Sequence, residues 1–119
     1  MIEPKELISE NILFSISWKH ESRKYYVYLT KSKFYKYDYD ECSQSYIYEV
    51  CPVKDFGGIH CQAYSHVPPG HLDCACHCLV FIGSRYRNGQ SLVSFDFPTT
   101  QEGANAAEKL YVALSKVME

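Results

Sequence analysis

From residue 11 to residue 97 apolar side chains recur every second residue, and beyond residue 99 they recur every third or fourth. That change of period confines the chain to a run of strands followed by one amphipathic helix. Ile12, Phe14, Ile16 and Trp18 share one parity while Ser15, Ser17 and Lys19 share the other, the pattern of a half-buried strand. His20 to Arg23 connects this strand to Lys24–Thr30, and Lys31 to Lys33 turns into Phe34–Tyr39. After a break at Asp40 to Ser43, Tyr46, Tyr48 and Val50 restart the alternation. Asp55-Phe56-Gly57-Gly58 marks the next break, followed by strands over 59–64 and 74–82 with a Pro68-Pro69-Gly70 turn between them. Asn88-Gly89 is a hairpin dipeptide leading into a seventh strand over 92–97.

Thr99-Thr100-Gln101-Glu102 fits a capping box, with Thr99 as the cap and Glu102 reaching back. The helix is expected over 100–118, its stripe formed by Ala104, Ala107, Tyr111, Leu114 and Met118 and widened by Leu110 and Val117. A short helix or turn is expected over Pro4 to Glu10. The fold class is therefore α+β: an antiparallel sheet of six to seven strands, bent or partly closed, packed by one C-terminal helix. With 119 residues, the chain is expected to be a single domain, strand-rich over 11–97, since halves would bury little core. In element count it resembles the pleckstrin-homology superfold. Its lone tryptophan, Trp18, lies in the first strand, whereas those domains usually carry one in the closing helix, and no family is assigned.

Hydrophobic residues make up 46% of the chain and charged residues 22%, ordinary globular usage that excludes a disordered chain. No apolar stretch approaches the ~18 residues of a membrane span. A net charge of −2 gives little pull on nucleic acid or anionic lipid, and Glu21 sits among the basic residues Lys19, Arg23 and Lys24 of the first hairpin. The first six residues carry acids where an export signal carries bases, so the expectation is a cytoplasmic chain with reduced cysteines.

Eight of the eleven cysteines and histidines fall between residues 60 and 78: His60, Cys61, His66, His71, Cys74, Cys76, His77 and Cys78. Thiolate and imidazole are the preferred ligands of zinc, and His60, His71, Cys74, Cys76 and Cys78 form the alternative metal set. The Cys-Ala-Cys-His-Cys run argues against it, because i and i+2 positions of a strand start ~6.6 Å apart while two zinc ligands must approach to ~3.8 Å. The plainer reading is cysteine as a small core residue, with no cofactor. If Pro69-Gly70 is a hairpin tip, His60 faces Cys78 and Cys61 faces His77. That second pair is the only arrangement found that would make a nucleophilic thiol, and no oxyanion hole or enzyme signature accompanies it.

Residues 25–48 hold nine aromatic rings interleaved with Lys24, Lys31, Lys33 and Lys36. Both parities of the second strand carry tyrosine, so one set is expected to leave the core. Asp38, Asp40, Glu41 and Glu49 offset the lysines, which disfavours nucleic acid and favours a protein contact. Tyr26, Tyr28, Tyr35, Tyr37 and Tyr39, together with Arg85, Tyr86 and Arg87 of the loop 83–89, are the candidate partner-binding residues. Tyr35, Tyr37 and Arg85 are the expected anchors. The loop alone offers a second use, gripping a small anion.

No phosphate-binding glycine loop, nucleophile elbow or zinc-protease helix occurs. The expectation is a small non-catalytic module that occupies a protein partner as an inhibitor, immunity-type or adaptor protein does. An exposed sheet edge leaves self-association open.

Overall fold

The computed structural model describes residues 4–63, 78–86, 90–98 and 100–119. Its elements run α1 (Pro4–Leu7), β1 (Ile12–His20), β2 (Arg23–Thr30), β3 (Lys33–Asp40), β4 (Ser45–Pro52), a 3-10 turn (Val53–Asp55), β5 (Phe56–Gln62), β6 (Cys78–Ser84), β7 (Ser91–Phe97) and α2 (Gln101–Val117). The class is α+β, with seven strands and a C-terminal helix among the described residues. The strands form two antiparallel sheets, β1-β2-β3-β4 and β5-β6-β7, and the chain divides into two compact units, Met1–Lys54 and Asp55–Glu119.

The first unit is a meander whose turns explain its pairing. Glu21, at φ 55°, takes the left-handed conformation that closes the tight β1–β2 connection, and Gln44, at the same φ, ends the four-residue turn into β4. In the ladders Phe14, Ile16 and Trp18 face Leu29, Val27 and Tyr25 on one side of the sheet, with Phe34 beside Leu29. Val27, Leu29 and Phe34 are fully buried there, each worth about 1.5–3 kcal/mol of burial. Trp18 stacks on Tyr25 at 5.1 Å and 16°. The other side carries Tyr26 and Tyr28 on β2, Tyr35, Tyr37 and Tyr39 on β3, and Tyr46, Tyr48 and Val50 on β4. The α1 segment packs against β2 and β3, and the Glu10 carboxylate accepts hydrogen bonds from the hydroxyls of Thr30 and Ser32.

In the second unit α2 packs on β5, β6 and β7, burying Gly103, Ala104, Ala106, Ala107, Leu110 and Leu114 within the unit that holds Val80, Ile82, Val93 and Phe97. Tyr111, expected in the apolar stripe, is 39% exposed at its margin. The cap also differs from the expected one. Thr100, not Thr99, is the N-cap, its hydroxyl accepting from the Gly103 amide at 3.0 Å, so Glu102 stands one position too early to close a capping box. Gly103 belongs there because a Cβ would lie 1.8 Å from the Pro98 carbonyl oxygen. Of the expected break at residues 55–58, Asp55 ends the 3-10 turn, whereas residues 56–58 begin β5, with a register shift between Phe56 and Gly58. Gly57 permits this close approach: a Cβ would meet the Ser84 carbonyl oxygen at 2.5 Å.

Candidate protein-binding surface

The backbone pattern decides which groups of the tyrosine-rich sheet are free to meet a partner. The Val53 amide donates to the Ser32 carbonyl at 2.8 Å, so these residues form a hydrogen-bonded pair at the end of the β3–β4 ladder. Such pairs alternate along an antiparallel ladder. Ile47, Glu49 and Cys51 therefore turn their main-chain groups toward β3, and Tyr46, Tyr48 and Val50 turn theirs outward. No strand of the described residues pairs with that outer side, since β4 ends its sheet.

Side chains follow a matching gradient. The central strands keep their tyrosines: Tyr37 is fully buried, and Tyr28 and Tyr35 are 8% and 7% exposed. Tyr37 is enclosed by rings, with centroids 5.2 Å from Tyr26, 4.7 Å from Tyr48 and 6.4 Å from Tyr46. The expectation that Tyr28, Tyr35 and Tyr37 contact a partner is thus corrected for these three. They sit in two strands flanked on both sides, where ring packing buries them. Burial, with the negative charge of Glu10 added, pushes the Tyr35 phenol pKa above its ordinary value. Tyr26 and Tyr39 are half-buried.

Exposure rises at β4. Tyr46, Ile47 and Val50 are 52%, 54% and 52% exposed, Val50 and Tyr46 on the tyrosine side and Ile47 on the other. None of the three was among the candidate partner-binding residues, although Tyr46 is one of the nine rings counted in residues 25–48. The available signal was a strand, Ser45 to Pro52, carrying one charge in eight residues at the end of a meander.

The end of this sheet that holds the β1–β2 and β3–β4 turns is electrostatically satisfied. Glu41 pairs with Lys19 at 3.3 Å and Lys24 at 3.2 Å, and Arg23 lies 3.7 Å from Asp40. Lys24, foremost, and Lys19 hold the Glu41 carboxyl below its usual range by hydrogen bonding, and Glu41 raises Lys24 in return. Asp40 is held low chiefly by the Cys42 amide, which donates to it at 3.0 Å. The basic residues of the first hairpin are thereby engaged within the sheet.

In the second unit, Arg85 and Tyr86 lie at the end of β6, Arg85 exposed and Tyr86 71% exposed. The Arg85 amide donates to the Asp55 carbonyl and the Tyr86 amide to the Ser84 hydroxyl, which fixes the backbone from which both side chains project. Arg87 lies outside the described residues. The β5–β6 register overturns the expected facing pairs: Phe81, not Cys78, stands opposite His60, and Val80 stands opposite Cys61. The observed register is offset by three residues from the expected pairing, an odd offset that also changes which residues share a face. His71, Cys74, Cys76 and His77 lie outside the described residues. Among the described residues no three His, Cys, Asp or Glu side chains converge. Cys42, Cys51 and Cys61 are in the thiol form. A cleft of about 350 Å³ opens between β5 and α2, lined by Ile59, His60, Cys61, Ala63, Glu108 and Tyr111.

Among the described residues no helix is long and apolar enough to cross a membrane. Comparison of the chain with protein-family models, curated proteins and solved structures gave no match.

Proposed function

We propose that this chain is a non-catalytic protein-interaction module whose contact surface is the β4 border of the tyrosine-rich sheet. One observation carries the reading: Tyr46, Ile47 and Val50 stand half-exposed on a strand whose outward amides and carbonyls meet no other strand of the described residues. An extended segment added to such an edge gains main-chain hydrogen bonds, while alternate side chains supply selectivity. The buried tyrosines behind it give the border a rigid backing, which lowers the entropy lost on binding. Tyr26 and Tyr39 lie on the same side as Tyr46 and extend the contact inward. Arg85 and Tyr86 belong to the other unit and form a separate exposed pair. A protein partner in a cytoplasmic, reducing setting is part of the same proposal.

The test is capture of binding partners by the immobilised chain, with Tyr46→Ala and Val50→Asp compared against the parent. Loss of the same captured protein by both variants, with thermal midpoints held, supports the reading. Capture that survives both substitutions overturns it.

A further inference from the structure

We infer that β4 pairs edge to edge with β4 of a second copy of this chain, antiparallel about a two-fold axis, with Tyr48 facing its own counterpart. This pairing rests on the reading of β4 as a protein-binding border, and it names the partner.

The strand's own residues choose the register. Outward main-chain groups come from Tyr46, Tyr48 and Val50, so two copies can bond only where these positions meet one another. With Tyr48 opposite Tyr48, Tyr46 meets Val50 of the second copy, Ile47 meets Glu49, and the strand from Ser45 to Cys51 is used from end to end. Sliding one step toward the C-terminus sets Glu49 directly opposite Glu49, a like-charge pair that destabilises a ladder. The next step sets Pro52, which has no amide hydrogen, opposite Tyr48. Sliding the other way brings Val50 against Gln44, whose φ of 55° has already left the strand. One register avoids all three faults.

The same register suits the side chains. Tyr46 and Val50 meet across the axis on the tyrosine side, and Ile47 lies against the Glu49 stem on the other, so both exposed faces lose water together. The other edge of the sheet lacks this fitness. β1 carries a register irregularity between Ile12 and Phe14 and ends near Lys19, the features that blunt a strand edge. Between Ser45 and Cys51 the only charge is Glu49, and it is the charge that excludes the neighbouring register.

Sedimentation equilibrium over a concentration series tests the pairing. The parent chain is expected to pass from 13.8 kDa toward twice that mass. Val50→Pro deletes an outward amide without taking a bond from the β3 ladder, and self-association should weaken by about tenfold or more. Two further variants read the register: Ile47→Glu sets like charges opposite each other and weakens the dimer, whereas Ile47→Lys sets a cation against Glu49 and preserves or tightens it. Circular dichroism confirms that each variant keeps its sheet. A mass of 13.8 kDa at every concentration overturns the inference, as does equal loss with both Ile47 variants. If the chain is monomeric yet its β4 variants lose capture of a different protein, the second copy is wrong and the border reading stands. If capture is also unaffected, both fall.

Discussion

Tyr37 and Tyr48 face each other across β3 and β4 with ring centroids 4.7 Å apart and planes at 34°, and Tyr37 is sealed from solvent. This pair joins the interior of the sheet to its open border. Ring pairs of this kind add about 0.5–1.5 kcal/mol beyond the area they bury. Tyr37→Ala should therefore cost about 3–5 kcal/mol in urea unfolding, the loss of a large core ring. The Tyr48 hydroxyl is buried with no hydrogen-bond partner among the described residues. Tyr48→Phe should leave stability unchanged or raise it by about 1 kcal/mol, because an unsatisfied oxygen no longer has to be desolvated. A marked loss with Tyr48→Phe would mean that the oxygen has a partner.

Gly103 and Gly58 should respond oppositely to an added methyl. At Gly103 the new carbon would enter the Pro98 carbonyl, and the helix would have to shift, at about 1–3 kcal/mol. At Gly58 nothing lies within 4 Å, so Gly58→Ala should move the thermal midpoint little. Equal responses would contradict the close packing of the α2 start on Pro98.

The cap of α2 can be located by substitution. Thr100→Ala should lower stability by about 1 kcal/mol and Thr100→Asp should retain the cap, whereas Glu102→Gln should have a smaller effect than Thr100→Ala. Chemical denaturation of the three variants checks this order. Sensitivity centred on Glu102 would restore the capping box.

Stability should fall at both pH extremes for separable reasons. Asp40 and Glu41 have folded pKa values below their ordinary 3.8 and 4.5, so their contribution is complete above those values and is lost as pH falls through the folded pKa. Lys24 and Tyr35 are raised above 10.5 and 10.0, so what they contribute is present at neutral pH and lost as pH rises through the folded values. The Glu41 pairs are solvent-exposed, and salt should weaken them. Glu41→Gln should flatten the acid limb of the unfolding profile below about pH 5 and reduce its salt dependence. Glu10→Gln should lower the Tyr35 pKa, read by ultraviolet titration of tyrosine. An unchanged acid limb in Glu41→Gln would show that Lys19 and Lys24 contribute nothing there.

Periodicity carried most of the fold. The alternation of Ile12, Phe14, Ile16 and Trp18 against serine and lysine marked β1, and the α2 stripe marked the helix within a residue at each end. Division into two sheets was not legible, because strand periodicity is local and carries no record of which edges meet. The Gly57-Gly58 dipeptide looked like a break because glycine favours turns, yet Gly57 serves a close backbone approach that only the partner strand reveals. The tyrosine-rich stretch was legible as a stretch and not as a surface. Tyr37 and Tyr46 share a residue type and a face, and their burial differs because one lies in an inner strand and the other at the edge. Register, which periodicity does not record, decided the fate of the His60 and Cys61 pairings.

In the first sheet every strand bonds only to its neighbours in sequence, across connections of a few residues. Closing such short loops costs little entropy, and structures built from them form quickly. During synthesis the β1–β4 meander thus has the partners of its internal ladders as soon as residue 54 has left the ribosome, while β5–β7 must wait for residues 101–117 to supply the helix that packs on them. Between those two moments the nascent chain already displays a finished β4.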